Sequence, residues 1–248
     1  METMTLVSLA MALAFCAVHL FIGKLRFLDR TPRSRWLSLS GGVAVAYVFL
    51  HILPEIGSHG GLFARQTGLN EVFSEALVYS MSLAGLAMFY GVERATLVAT
   101  TPVEGREAAP PGVFWLHIAA TCVLAFIIGY LLNNREDPSR LGLALSFGAL
   151  LLHFVTADYA ASAHHPDLYR RRARWVLSAA TLGGWALGVM IEVSELAIGC
   201  LFAFVGGGIV LITLKEELPA ERESRLLPFL FGAALYTALV LGERSLGG

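Results

Sequence analysis

The chain has 248 residues, of which 56% are hydrophobic and 15% are charged, and its formal net charge is −1. The charged residues form short clusters between long apolar runs, which excludes a soluble globular domain, where charges are spread more evenly. The nearly balanced charge offers no basic face, so a nucleic acid partner is not expected. Composition therefore predicts a protein whose main partner is the lipid bilayer.

Eight apolar runs follow one another along the chain, and each approaches the roughly 20 residues that a helix needs to span a bilayer. They predict an all-α integral membrane protein that forms a single transmembrane domain over residues 1–248. The predicted spans are 4–23, 36–56, 75–93, 110–132, 141–162, 174–191, 195–214 and 226–243. A segment at 93–112 with several Pro, Gly and Glu residues predicts a flexible linker between the third and fourth spans.

The loop charges predict the orientation of these spans. The first span follows an acidic residue and precedes a basic cluster, which is typical of an uncleaved anchor with its N-terminus outside. In that orientation the outer side keeps only a few of the 18 Lys and Arg residues, namely Arg65, Arg135, Arg140 and Arg244. With an even number of spans both termini are expected on the outer side, and the short loops favour a bacterial inner (plasma) membrane.

One short pattern occurs twice in the chain. Gly41-Gly42 and Gly206-Gly207 are each followed, after eleven residues, by a proline, at Pro54 and Pro219. Both copies lie in apolar segments that would cross the membrane in opposite directions. Many secondary transporters contain inverted repeats of this kind. The pattern therefore predicts a transporter scaffold in which an inverted repeat relates helices 1–3 to helices 6–8.

The second span ends with two polar residues four positions apart, His51 and Glu55. This spacing places an imidazole and a carboxylate on one helix face near the outer surface, where they are able to hold a divalent cation. Pro54 loosens the same turn and complicates that geometry. The alternative interpretation is an ordinary helix end whose polar groups reach the interface.

His153 lies in the middle of the fifth span, among leucines and a phenylalanine. Because polar residues are costly in hydrocarbon, it is either functional or a neutral histidine that hydrogen-bonds to another helix. Asp158 is five residues further, about 140° around a regular helix, so it either reaches the same side through a bulge or meets His117 of the fourth span. His117 is otherwise an interfacial residue, and His19 of the first span is expected to be structural.

These motifs in combination resemble the ZIP family of divalent-metal permeases. The resemblance lies in Gly41-Gly42 through His51-Ile52-Leu53-Pro54-Glu55, in Glu93-Arg94 at the end of the third span, and in Gly206-Gly207 through Glu216-Glu217-Leu218-Pro219. It implies eight helices in a 3+2+3 arrangement and a metal site formed by the fourth and fifth helices. His117 and His153 stand at the family's first ligand positions, whereas Thr121 and Ala157 stand where carboxylates are expected.

The resemblance implies a divergent ZIP-like permease with a degraded metal site, which moves a divalent cation, zinc or iron, across the membrane. Its metal ligands are then His153, His117 and Asp158 on the inner side and His51 and Glu55 on the outer side. The alternative is a ZIP-like membrane protein that does not transport and has a structural or regulatory partner. A homodimer and a heteromeric membrane partner both stay open. No enzymatic activity is expected, and no cofactor other than a bound Zn²⁺ or another divalent metal.

Overall fold

The computed structural model describes residues 2–25, 35–100, 111–134, 140–217 and 225–247. Every regular element within these residues is helical, which confirms the predicted all-α class. Most of the predicted linker, the basic cluster after the first span, Arg135 and the Leu218-Pro219 end of the second glycine pattern lie outside the described residues.

The helices of the described residues are labelled in chain order. The α-helices are α1 (Glu2–Phe21), α2 (Arg35–Tyr47), α3 (Leu53–Thr67), α4 (Glu71–Thr100), α5 (Pro111–Leu131), α6 (Arg140–His164), α7 (Pro166–Leu168), α8 (Arg174–Met190), α9 (Glu195–Glu217) and α10 (Leu226–Gly247). A 3-10 turn, Ile22–Lys24, follows α1. Two π-helical segments complete the set: Val48–Ile52 joins α2 to α3, and Tyr169–Ala173 joins α7 to α8.

Seven helical stretches within the described residues are long and apolar enough to cross a membrane, so the chain is an integral membrane protein. They are Met4–Lys24, Ser38–Thr67, Glu71–Thr96, Gly112–Leu131, Leu141–Ala163, Glu195–Lys215 and Leu226–Ser245. The remaining predicted span, 174–191, corresponds to α8, whose 17 residues fall slightly short of the usual spanning length.

The second membrane stretch is longer than the sequence indicated. It continues through the π-helical segment and α3 to Thr67, whereas the predicted span ended at 56. Pro54 does not end the helix, because it lies in the first turn of α3, where a proline is tolerated. The stretch ends at Gly68, whose φ of 73° gives the left-handed helix cap that favours glycine.

α2 and α10 run side by side in the same direction. Near their starts the backbone N–H of Arg225 donates to Ser38 Oγ at 3.1 Å, and near their other ends Arg244 Nη2 donates to the carbonyl of Leu50 at 2.9 Å. Contacts at successive levels likewise make α4 parallel to α9 and α5 parallel to α8. In each of these three pairs, the two helices therefore run through the bundle in the same direction.

Each of the three parallel pairs is held together by two glycines that face each other's backbone. In every pair, a Cβ added to one glycine would clash with the carbonyl oxygen three residues before the other glycine. The glycine pairs are Gly42 with Gly232, Gly85 with Gly207, and Gly129 with Gly184. Small residues let membrane helices approach closely, so these contacts fix how the helices around the site pack.

The helices pack into two groups with α6 between them. One group contains α1, α5 and α8, and the other contains α2, α3, α4, α9 and α10. α6 contacts α1 of the first group and α2, α9 and α10 of the second. The fully buried Phe15 and Phe154 join α1 to α6, with ring centroids 4.9 Å apart. The two groups also meet directly, because α4 and α9 contact α5.

Candidate functional site

A small cavity of about 20 Å³ lies where α4, α5, α6 and α9 meet. Its volume suits about one water molecule or one bare cation. Its polar lining consists of Glu93 from α4, His117 and Thr121 from α5, His153 from α6 and Lys215 from α9. Two of the predicted metal ligands, His117 and His153, are therefore brought to one pocket, which we call the inner pocket.

The charges of the inner pocket centre on Glu93. Its Oε2 forms an ion pair with Lys215 Nζ, and its Oε1 lies 3.6 Å from His117 Nδ1. The carboxylate is mostly buried, whereas the lysine is half exposed. An attractive pair of this kind is stronger where water is partly excluded. Glu93 is therefore held between an imidazole and an ammonium group that both line the pocket.

His153 is the most deeply buried polar residue of the inner pocket, with 2% of its surface exposed. Within the described residues, its Nε2 has no hydrogen-bond partner. A buried ring nitrogen without a partner lowers the stability of the fold, because it has lost its hydrogen bond to water and forms no other in its place. The inner pocket thus contains an imidazole nitrogen that a bound water or cation would satisfy.

Asp158 points away from the inner pocket. Its Oδ2 lies 2.6 Å from His19 Nδ1 of α1, and the two side chains are essentially inaccessible to solvent. The other ring nitrogen of His19 lies 3.3 Å from Thr181 Oγ1 of α8, and Tyr169 donates to the backbone carbonyl of His19. α6 is a regular α-helix here, without the bulge that would turn Asp158 towards His153. The contact joins α1, α6 and α8.

The second predicted pair, His51 and Glu55, lies near the middle of the second membrane stretch, Ser38–Thr67, and apart from the inner pocket. His51 Nε2 is 3.2 Å from Glu55 Oε2 and 2.8 Å from Ser146 Oγ of α6. The ring of His51 stacks on Tyr47 with centroids 5.2 Å apart. The π-helical segment carries His51, and such widened turns recur at functional sites because they re-aim side chains.

Glu55 also lines a mostly apolar cavity of about 40 Å³. This cavity extends from His59 towards Leu150 of α6 and Ile209 of α9. It therefore leads from the His51–Glu55 pair, which we call the outer pair, towards the middle of the bundle. Within the described residues it shares no lining residue with the inner pocket. The inner pocket and the His51–Glu55 pair are thus separate sites, and the apolar cavity lies between them.

The ligand types of the inner pocket are those of zinc sites, since imidazole nitrogens and carboxylate oxygens both bind Zn²⁺. Zinc usually takes four ligands, however, and the spacing of the groups matters as much as their type. Within the part of the chain that the structure describes, no group of three or more His, Cys, Asp or Glu side chains is close enough to hold a metal ion. Binding there would require His117, His153 and Glu93 to converge.

Three residues of these clusters had no predicted role as ligands or partners. Glu93 was part of a motif only, Lys215 is an ordinary charge at the end of an apolar run, and His19 was expected to be structural. The sequence feature that could have indicated these residues was their position, because each lies near the end of a span, where a side chain reaches a neighbouring helix. The contacts themselves join residues 122 and 139 positions apart and leave no local pattern.

The chain matches no protein-family model, no curated protein sequence and no solved structure. The resemblance to the ZIP family therefore stays a prediction from the motifs.

Proposed function

We propose that the chain is a divergent ZIP-like permease that moves a divalent metal cation, zinc or iron, across the membrane. The observation that carries this proposal is the inner pocket, where His117 and His153 from two different helices line one cavity together with Glu93. Intramembrane ionisable residues around a cavity mark ion pathways more often than structural contacts. The cation is the substrate of this site and passes through it.

The outer pair gives the proposed pathway its beginning. His51 and Glu55 bring an imidazole and a carboxylate within 3.2 Å of each other, so they are able to attract a cation that enters from the outer side. From there the apolar cavity leads towards the middle of the bundle, and the inner pocket follows. In this pathway Glu93 supplies the carboxylate, while Asp158 holds His19 and orients α6.

The glycine pairs support the inverted repeat that belongs to this proposal. A repeat that relates helices 1–3 to helices 6–8 places α2 in correspondence with α9, and α4 with α10. Gly42 of α2 packs on α10, and Gly207 of α9 packs on α4, through the same backbone contact. Each glycine is the second of a Gly-Gly pair in the sequence. The proposed 3+2+3 arrangement therefore accounts for both the repeated sequence pattern and the repeated packing.

A second function is favoured by Lys215. Its ammonium group already neutralises Glu93 in the inner pocket, and a positive charge beside the ligands opposes a divalent cation. A chain that kept the scaffold but replaced the metal with an internal ion pair would no longer transport. This alternative is a non-transporting ZIP-like membrane protein with a structural or regulatory partner.

Uptake of zinc, iron and cadmium into sealed proteoliposomes separates these two functions. The unaltered protein is compared with empty liposomes, with His153→Ala, and with His165→Ala as a matched control. His165 packs on Phe114 outside the inner pocket. Saturable uptake that is lost in His153→Ala and kept in His165→Ala supports the permease. Uptake by folded protein that never exceeds that of empty liposomes rejects it for these metals and favours the alternative.

A further inference from the structure

An open groove lies between the first turns of α2 and α10 and has a volume of about 820 Å³. It lies at the end of the bundle where α2 begins, and the His51–Glu55 pair lies further along the same membrane stretch. Its walls contain two arginines and several large apolar side chains. The residues that define it are Arg35, Trp36, Arg225, Leu226, Leu227 and Phe231. We call it the arginine groove.

The apolar side chains of the arginine groove face outwards. Trp36 is 65% exposed, Leu227 is 79% exposed, and Leu226 and Phe231 are also more than half exposed. On a membrane protein, side chains like these contact lipid chains, and tryptophan is typical of the boundary between chains and headgroups. The groove is therefore suited to an amphiphile rather than to a small soluble ligand.

The two arginines supply the polar half of the groove. Arg35 precedes Trp36 in the first turn of α2, and Arg225 directly precedes α10. A guanidinium group binds phosphate oxygens through paired hydrogen bonds, and two of them on one groove match a single anionic headgroup. Basic pockets between membrane helices bind anionic lipid headgroups by this chemistry. Positive charge and exposed apolar surface therefore specify the same kind of ligand.

The packing of the two helices keeps the arginines together. The backbone N–H of Arg225 donates to Ser38 Oγ, one turn after Arg35. Further along, Gly42 and Gly232 allow the two helix backbones to touch. The first contact uses the short Ser38 side chain and the second joins the two backbones, so no long, flexible side chain sets the distance between the helix starts. The arginine groove is thus a preformed feature of this helix pair.

We propose that the arginine groove binds one anionic phospholipid from the adjacent leaflet. Its phosphate lies between Arg35 and Arg225, and one acyl chain lies along Trp36 and Phe231. This site is independent of the inner pocket and of any transport activity. A soluble anion would contact only the two arginines and would leave the apolar walls exposed. A lipid contacts both the arginines and the apolar walls, so it fits the groove better.

Fluorescence of Trp36 tests this proposal directly. In a variant with Trp115→Phe, Trp175→Phe and Trp185→Phe, Trp36 is the tryptophan that remains. The variant is reconstituted in phosphatidylcholine with a small fraction of brominated phosphatidylglycerol or of brominated phosphatidylcholine, since bromine quenches a tryptophan that it touches. We expect the anionic lipid to quench several-fold more strongly at equal mole fraction. Native mass spectrometry of the unaltered protein provides a second measurement that does not need the tryptophan substitutions.

Two matched double variants assign the effect to the arginines. Arg35→Gln with Arg225→Gln removes two charges from the groove. Arg171→Gln with Arg172→Gln removes the same charge from exposed positions of the π-helical segment before α8, on the same side of the membrane. We expect the first variant to lose both the preferential quenching and the retained phosphatidylglycerol, and the second variant to keep both.

Three results would overturn the proposal. Equal quenching by the two brominated lipids means that the groove does not select anionic lipid. Equal loss in both double variants means that the attraction is diffuse and does not belong to the groove. Reversal of the preference by inorganic phosphate at low millimolar concentration, with sodium sulfate as the ionic-strength control, means that the arginines form a soluble phosphate site.

Discussion

His19 Nδ1 of α1 lies 2.6 Å from Asp158 Oδ2 of α6, and both side chains are buried, with 0% and 1% of their surface exposed. Thr181 of α8 contacts the other ring nitrogen of His19, so three helices meet at one imidazole. Burial in a low dielectric strengthens a satisfied polar contact and penalises a broken one. The pair therefore orients α6, which carries His153 of the inner pocket one turn and a half earlier.

The first prediction concerns this pair. We expect His19→Ala and Asp158→Ala each to lower the stability of the folded protein, because each leaves the other group buried without its partner. The double variant should lose less than the sum, with a coupling of about 1 to 2 kcal/mol, the upper range for polar contacts between membrane helices. Unfolding in detergent measures the stability of the unaltered protein, the two single variants and the double variant. Additive losses would show that the contact contributes nothing.

The helices could be predicted from the sequence because length and apolar character are local properties. The apolar runs gave nearly every membrane helix, and the spacing of His51 and Glu55 indicated a shared face, which the 3.2 Å contact matches. The helix continues to Thr67, past the predicted end of the second span at 56, because Pro54 lies in the first turn of α3, where a proline is tolerated. Prediction failed where contacts join distant positions.

The polar clusters illustrate that limit. Asp158 had two predicted neighbours, His153 and His117, and in the structure it binds His19 instead. Glu93 and Lys215 were both visible as charges at span ends, yet the pair forms only because α4 and α9 run parallel and touch. The residues around Glu93 and those around Lys215 contain no pattern that predicts this helix pairing. Helix pairing, and with it the composition of the inner pocket, needed the three-dimensional structure.

The second prediction concerns the glycine contacts between α4 and α9. Gly85→Ala should destabilise the protein by about 1 to 3 kcal/mol, because its Cβ would meet the carbonyl of Phe204 and force the helices apart. Gly91→Ala is the matched control on the same helix, since nothing lies within 4 Å of its Cβ position. The control should be neutral or slightly stabilising, as alanine favours helix over glycine. Equal melting temperatures for the two variants would contradict close packing at Gly85.

The third prediction concerns the carbonyl of Leu50. Pro54 has no N–H to donate to it, and Arg244 Nη2 donates instead at 2.9 Å. Arg244→Gln should lower the melting temperature of the unaltered protein by a few degrees. The same change should have little effect in a Pro54→Ala background, where the backbone regains a donor at position 54. Arg65→Gln, at an exposed position on the same side, is the control. An equal loss with and without Pro54 would show that Arg244 acts elsewhere.

The fourth prediction concerns the competition between Lys215 and the proposed substrate for Glu93. Lys215→Met keeps the apolar stem and removes the ammonium group, so the carboxylate loses this ion pair and keeps His117, whose Nδ1 lies 3.6 Å away. Two unit charges this close interact by several kcal/mol where water is partly excluded, but Lys215 is half exposed and solvent screens much of this. We expect about 1.4 kcal/mol to remain, which is roughly a tenfold gain in zinc affinity.

Calorimetric titration of the purified protein with zinc measures this gain, and the absorption spectrum of bound cobalt reports whether nitrogen and oxygen ligands surround the metal. Lys24→Met is the matched control, because it removes the same charge from the same end of the bundle and contacts Phe21 rather than Glu93. Adding Glu93→Gln to Lys215→Met should abolish the gain. Equal affinities in the two lysine variants would reject the competition while leaving transport intact. Zinc binding by none of the folded proteins would instead reject the metal site itself, because removing the competing charge of Lys215 should have exposed any affinity that His117, His153 and Glu93 possess.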